Sequence, residues 1–284
     1  MKQFVIELFV ILGLVSLKSM AQVTLTICHT NDTHSTILPM DTSLANKERA
    51  GWGGFVRRIA LLQRERTTDP DLLYFDSGDF SQGSPYYSFF KGEVEVGLMN
   101  RMRVDATTIG NHEFDFGLDN LARLLKMANF PVISSNYDFS GTVLKDMVKQ
   151  YVVMERKDVR IGVFALDPKL EGLVSSRDCK DVVYLDPVVI ANKMTDVLKN
   201  KEHCDFIILL SHLGWQKPSD NADLLRDNKL IPQTRGIDLV LGGHSHTFFH
   251  CQRYVIDREG HSVPVVQEGE KGTVVGKIQV KLER

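Results

Sequence analysis

Five apolar runs in this chain each read as a buried strand, and each runs directly into residues able to bind a metal ion. "VTLTICHT" leads into "NDTH" (31–34), "DLLYF" into "DSGD" (76–79), "DATTI" into "GNHEFDFG" (110–117), "FIILL" into "SH" (211–212) and "IDLVL" into "GGHSH" (242–246). Short continuous apolar runs bounded by turn residues are the pattern of strands covered on both faces. In an open α/β sheet, ligands and catalytic groups gather where the strands end. Asp32, His34, Asp79, Asn111, His112, His212, His244 and His246 are therefore expected on one rim. That donor set is too large for one ion and suits two.

The segments between these runs read as helices. "GGFVRRIALLQRERT" (53–67) places Phe55, Ile59 and Leu62 on one face with basic residues opposite. Further helices are expected at "GEVEVGLMNRMR" (92–103), "LDNLARLLKMAN" (118–129) and "PVVIANKMTDVLKNK" (187–201). "YVVMERKDVRIGVFAL" (151–166) is two apolar runs joined by a polar turn, which signals a hairpin. The tail alternates in "RYVIDREGHSVPVVQ" (253–267) and "GTVVGKIQVKL" (272–282). Together these imply an α/β fold, a pair of mixed sheets flanked by helices.

The 284 residues are 43% hydrophobic and 25% charged, enough for a sizeable core in a single large domain. The motifs run from residue 31 to residue 246 with no low-complexity stretch or repeat between them. A formal charge of −2 excludes the basic profile of a nucleic-acid or membrane-surface binder. Cys28, Cys179, Cys204 and Cys251 have no C-x-x-C spacing, so a structural zinc site is not indicated. Three disulfide pairings are open to them, and Cys28 inside a strand pattern reads as a buried free thiol.

Residues 1–21 read as a signal peptide. Lys2 precedes an apolar stretch from Phe4 to Leu17, and Ser19-Met20-Ala21 supplies a small-x-small cleavage site. The stretch is short for a membrane span of about 20 residues, although an uncleaved anchor is the competing reading. Export to the periplasm or the extracellular space is expected, with the domain covering residues 22–284 and no stable membrane insertion once the signal is removed.

Phosphate esters resist hydrolysis because the phosphoryl group is anionic and water is a weak nucleophile. Two metals roughly 3.5–4 Å apart answer both problems, sharing a hydroxide and neutralising the phosphoryl oxygens. Asp79, at a Gly-Asp turn, is the natural bridge. Mixed imidazole, carboxylate and amide donors suit zinc, manganese or iron.

The order D-x-H, G-D, G-N-H-E, H, G-H-x-H resembles that of the calcineurin-like metallophosphoesterases. "HTNDTH" (29–34), "GNHEFDFG" (110–117), "GGHSHT" (242–247) and "VVQEGEKG" (265–272) are closer still to the 5′-nucleotidase branch. The resemblance covers nearly all of the chain after residue 21. It implies a four-layer α-β-β-α sandwich and a dinuclear hydrolase of phosphate monoesters, 5′-nucleotides foremost, in which a metal-bridging hydroxide attacks. Asp32, His34 and His246 would hold one divalent ion, Asn111, His212 and His244 the other, with Asp79 bridging. His112 would contact the phosphoryl group and stabilise the leaving oxygen, and Asp115 would orient and charge its ring.

Members of that branch usually carry a C-terminal nucleoside-binding domain, and the chain stops at Arg284. Nucleoside recognition is therefore expected from a separate chain resembling that domain. Alternatives are nucleotide-sugar or cyclic-nucleotide phosphodiesterase activity, thiosulfate-ester hydrolysis, or a non-enzymatic scaffold, against which the His112–Asp115 pair argues. His29, His203, His250 and His261 are expected at the surface, and Asp76 is expected to bond backbone amides in its turn.

Overall fold

A computed structural model describes residues 22–43, 49–219, 221 and 224–283. The segment read as a signal peptide lies outside the described residues. The first sheet contains β1 (Gln22–Thr30), β2 (Leu73–Asp76), β3 (Ala106–Thr108) and β4 (Val132–Ile133), all parallel. Its other edge, beyond β1, is antiparallel β13 (Gly276–Glu283). A two-stranded ribbon pairs β5 (Tyr137–Asp138) with β8 (Val183–Tyr184).

The second sheet has the order β11 (Arg253–Ile256), β12 (Ser262–Val266), β10 (Leu239–Gly242), β9 (Phe206–Ser211), β7 (Val159–Leu166), β6 (Tyr151–Arg156). Its four central strands are parallel and both edges antiparallel. The β6–β7 hairpin turns through Lys157 and Asp158, both left-handed at φ 51° and 61°. That two-residue turn matches the twist of the flanking strands.

The layering follows from strand alternation. Leu25, Ile27, Leu73 and Phe75 meet Ile161, Val163, Ile208 and Leu210 in a core between the two sheets. The residues between them point the other way. Cys28 and Tyr74 pack under α1 (Phe55–Thr68), α3 (Glu93–Met102) and α4 (Gly117–Met127). Phe164, Ile207 and Leu209 pack under α5 (Pro187–Asp196) and α6 (Asp227–Leu230). Helices, sheet, sheet and helices make the four layers expected.

Helix ends follow their local chemistry. α5 starts at Pro187 under Asp186, whose carboxylate accepts from the amides of Val188 and Val189 at 2.8 and 3.1 Å. The expected helix to residue 201 continues as a wider π turn over Val197–Lys201. α2 (Pro85–Phe90), capped by Ser84, was not foreseen from the sequence.

Two polar residues differ from expectation. Arg58 lies on the buried face of α1, with its guanidinium 3.8 Å from the centre of the Phe55 ring. His29 is buried, because β1 is internal to its sheet and its partner residue in β13 is Gly276. A Cβ at Gly276 would stand 2.1 Å from His29 Nε2, so only glycine leaves room for the imidazole. The ring faces Glu268 at 3.3 Å. His203, His250 and His261 are exposed as expected, and the cysteines are free thiols with Cys28 buried. Among the described residues no helix is long and apolar enough to cross a membrane.

Candidate active site

The parallel strands of both sheets end on one side, and the loops leaving them meet there. β1 delivers Asp32 and His34, β2 Asp79, β3 Asn111 and His112, β9 His212, and β10 His244 and His246. Two groups form, each able to hold a metal ion: Asp32 with His34 and His246, and Asp79 with His212 and His244. Within each group the donor atoms lie within 4.8 Å of one another. Asp32 Oδ1 is 3.4 Å from His246 Nε2 and 3.9 Å from both His34 Nε2 and His212 Nε2, so the groups adjoin.

The imidazoles are aimed by carbonyl and carboxylate acceptors. His212 Nδ1 donates to Ser77 O at 2.6 Å, and His34 Nδ1 to Ser81 O at 3.2 Å. His246 Nδ1 lies 3.2 Å from Glu270 Oε2. Each of these contacts fixes a ring with Nε2 turned inward, the arrangement that orients histidine ligands in metal sites. The consequence is a crowd of acceptors. His34 Nε2 and His246 Nε2 are 2.9 Å apart, and His212 Nε2 is 3.0 Å from Asp79 Oδ2. Such pairs need a cation between them, a proton or a metal. The buried side-chain oxygen of Asn111 makes no hydrogen bond, leaving it free to coordinate. The residues present fit a pair of divalent ions.

Electrostatics agree. Burial would raise Asp79, but the His212 imidazole beside it, helped by His112 and His34, holds it well below the usual carboxylate range. Burial would lower His212, yet the Asp79 and Asp32 carboxylates push it up to about 10. Burial and the neighbouring His212 push His244 down to about 3. Hydrogen bonds to Asp32 and Glu270 bring His246 to about 9.

The backbone here is unusual. Asp32, His34, Asp79, His244 and His246 all have positive φ, between 41° and 69°. This left-handed region costs a non-glycine residue about 1–3 kcal/mol, and such strain clusters at functional sites. Cross-loop bonds impose it: Asp32 N donates to Gly78 O at 2.9 Å, His34 N to Asp79 O at 3.0 Å and Lys271 N to Asp32 O at 2.6 Å. Gly110 is forced by packing too, because a Cβ there would stand 2.1 Å from Asp79 Oδ1.

His112 opens the short 3₁₀ turn His112–Phe114 after β3. Its amide donates to Asp79 Oδ1 at 3.0 Å, and its ring Nδ1 lies 3.1 Å from Asp115 Oδ2. Burial lowers its pKa, but the Asp115 hydrogen bond and the charges of Asp79, Asp115 and Glu113 outweigh it, so His112 ends above its ordinary value. The ring is partly exposed and stands edge-on to His34, with centroids 5.4 Å apart. All nine residues singled out in the sequence therefore share one rim.

Several supporting residues were given no role from sequence. Glu113 accepts the amides of Asp79, Ser81 and Gly110 at 3.0, 3.0 and 2.7 Å, tying the β2 and β3 loops together. Burial and Asp79 push it up to about 8, against His212 and the Ser81 and Asp79 amides, which favour its ionised form. Gln267 and Glu270 brace the His244–His246 loop, through the Thr247 amide and the His246 ring. Both lie in "VVQEGEKG", and Glu113 in "GNHEFDFG", so the motifs carried the signal without the roles. Asp76 bonds the Gly78 amide as expected and also accepts from Thr30 Oγ1 at 2.6 Å.

Comparison with known proteins agrees with this geometry. Residues 25–248 match the family model described as calcineurin-like phosphoesterase. The human 5′-nucleotidase is 31% identical over 279 residues, covering 91% of this chain and 46% of that protein. The crystal structure of a 5′-nucleotidase precursor from Thermus thermophilus superposes with a TM-score of 0.81 at 35% identity, covering 91% of this chain and 51% of that one. The calcineurin-like phosphoesterase YfkN from Bacillus subtilis gives a TM-score of 0.76 at 28% identity, covering 93% and 86%. The chain spans about half the length of the curated relatives it matches. On the match to the family model, supported by the fold, this chain belongs to the calcineurin-like phosphoesterase family.

Proposed function

We propose that the protein is a dinuclear metal-dependent phosphoesterase acting on phosphate monoesters, with 5′-nucleotides the principal class. The observation that carries this reading is the pair of adjoining donor groups, Asp32–His34–His246 and Asp79–His212–His244, with a His112–Asp115 pair beside them. Asn111 would complete the second group, and Asp79 would serve both ions. When bound, zinc, manganese or iron would neutralise phosphoryl oxygens and supply a nucleophilic water at neutral pH.

The chain's own groups do the rest. Water adds to phosphorus as the ester P–O bond breaks, and the leaving alkoxide takes a proton. His112 is positioned to give that proton from Nε2, because Asp115 engages Nδ1 and favours the charged ring. Glu113 keeps the β2 and β3 loops in register, so that Asp79 and His112 stay together. Nucleoside recognition comes from a second surface facing this cleft, matching the part of the relatives beyond the region aligned here, on this protein or on a separate chain. The substrate is a small phosphorylated molecule and not a nucleic acid.

The test is release of the leaving alcohol from AMP, a simple aryl phosphate and an aryl phosphodiester by chelator-treated protein, before and after manganese or zinc is restored. Metal-dependent cleavage of the monoesters, with the diester slower, is expected. A preference for the diester would replace the monoesterase reading, and full activity after chelation would end the metal reading.

Export is proposed on the small-x-small site, with cleavage after Ala21. N-terminal sequencing of protein from its native host should begin at Gln22, and an intact Met1 chain in the cytoplasm would refute it.

A further inference from the structure

The candidate site opens into a cleft of about 720 Å³, the size range of a small-molecule site. Its floor is His34, His112 and His246. One wall is apolar: Leu38, Pro39 and Met40 from the loop after β1, with Pro85 and Tyr86 from the first turn of α2. The two halves of this wall are tied together. Ser35 Oγ lies 2.5 Å from Ser84 Oγ, the cap of α2, and also donates to the buried carboxylate of Glu95. Met40 is pinned by its own backbone, its amide giving 2.8 Å to Trp52 O and its carbonyl receiving Gly51 N at 2.8 Å. The wall is therefore preorganised, yet Leu38 is 62% exposed.

Charge narrows what fits. Besides the imidazoles, the charged groups lining the cleft among the described residues are Asp41, Glu270 and Lys271. Glu270 is spent on His246 at 3.2 Å and also lies 3.8 Å from Lys271 Nζ. An outer cleft with two carboxylates and one ammonium is a poor second phosphate site.

We infer that this wall is a leaving-group site within the chain itself, taking phosphomonoesters whose alcohol carries a flat apolar ring and no further phosphate. The inference rests on the proposed reading of the floor as the phosphoryl site. The ring of the alcohol lies along Leu38 and Met40 and against Tyr86, which holds the ester oxygen toward His112. Polyol phosphates gain nothing from the wall, and diphosphates meet Asp41 and Glu270.

The test compares kcat/KM for phenyl phosphate and glycerol 3-phosphate in the metal-loaded protein. Tyr86→Ala should lower the phenyl-to-glycerol ratio about tenfold, mostly through KM for the aryl ester, as expected for one lost apolar contact surface. Leu38→Ser should move the ratio the same way by a smaller factor, and its exposure keeps folding out of question. Tyr86→Phe keeps the ring and should keep the parent ratio. Parent protein that favours neither ester, or variants that leave the ratio unchanged, would overturn the inference while leaving the phosphatase reading intact. Preference for ADP over AMP would overturn it on charge. Hydrolysis of no ester at all would sink the reading of the floor, and this inference with it.

Discussion

Replacing Asp79 with asparagine is expected to strip the protein of bound metal and of nearly all hydrolysis while leaving it folded. The side chain is buried at the end of β2, with one oxygen 3.0 Å from His212 Nε2 and the other accepting the His112 amide at 3.0 Å. Asparagine keeps the shape and tolerates the left-handed backbone at φ 54°, so the loop survives. What is lost is the negative charge that would neutralise a bound cation. Lewis-acid stabilisation by metal is worth several kcal/mol, and each 1.36 kcal/mol is tenfold, so a loss of about 10³ or more in turnover is expected.

The parent should show the linked pH effect. Asp79 and Asp32, working against burial, push His212 up to about 10, above the ordinary imidazole value. In the metal-free protein that proton stabilises the fold fully below the ordinary value, and its contribution fades as pH rises through about 10. A metal at Nε2 must displace it, so apparent affinity falls in acid and loading releases protons. Elemental analysis with phosphate release decides the matter. An Asp79→Asn protein with full metal and full activity would sink the two-ion model.

The strand ends were legible in sequence because buried parallel strands must be continuously apolar and the loops after them are free to be polar. "IDLVL" before "GGHSH" is unambiguous for that reason, and so were three of the four long helices. The fourth, α5, widens into a π turn that a 3.6-residue period does not encode. Elements of two residues, such as β4, β5 and β8, are too short to carry a pattern. α2 was missed because "PYYSFF" is rich in aromatics, which favour strands, and has room for fewer than two helical turns.

Arg58 and His29 show a different limit. Their burial depends on Phe55 and Gly276, contacts that a pattern of polar and apolar residues cannot specify. The left-handed ligand backbones were equally hidden. Nothing in "NDTH" requires positive φ at His34, which is imposed from the β2 loop by Asp79 O and Phe80 O. Residue types at the site follow from local sequence. The geometry that brings their lone pairs together follows from bonds between loops far apart in the chain.

His112 differs from the ligand residues in that its ring hydrogen-bonds a carboxylate only three residues on, Asp115. His112→Asn is expected to keep both metal sites, because neither donor group includes its ring. It should nevertheless lose turnover by roughly 10²–10⁴, the range for a general acid–base group. The loss should be smaller for substrates with good leaving groups, which depart without a proton. Asp115→Asn should be milder and shift the pH profile.

The sign follows from the carboxylate. Burial lowers His112, and the Asp115 hydrogen bond with the nearby charges overcomes it, so the folded-state value lies above the ordinary one. An acid with a raised pKa stays protonated further into the alkaline range, and activity falls as pH rises through that value. Without Asp115 the main raising contact is gone, and the alkaline limb should move to lower pH. Steady-state kinetics of both variants, beside their metal contents, separate the roles. Metal loss in His112→Asn would place that ring among the ligands, and an unmoved alkaline limb in Asp115→Asn would show that another group titrates there.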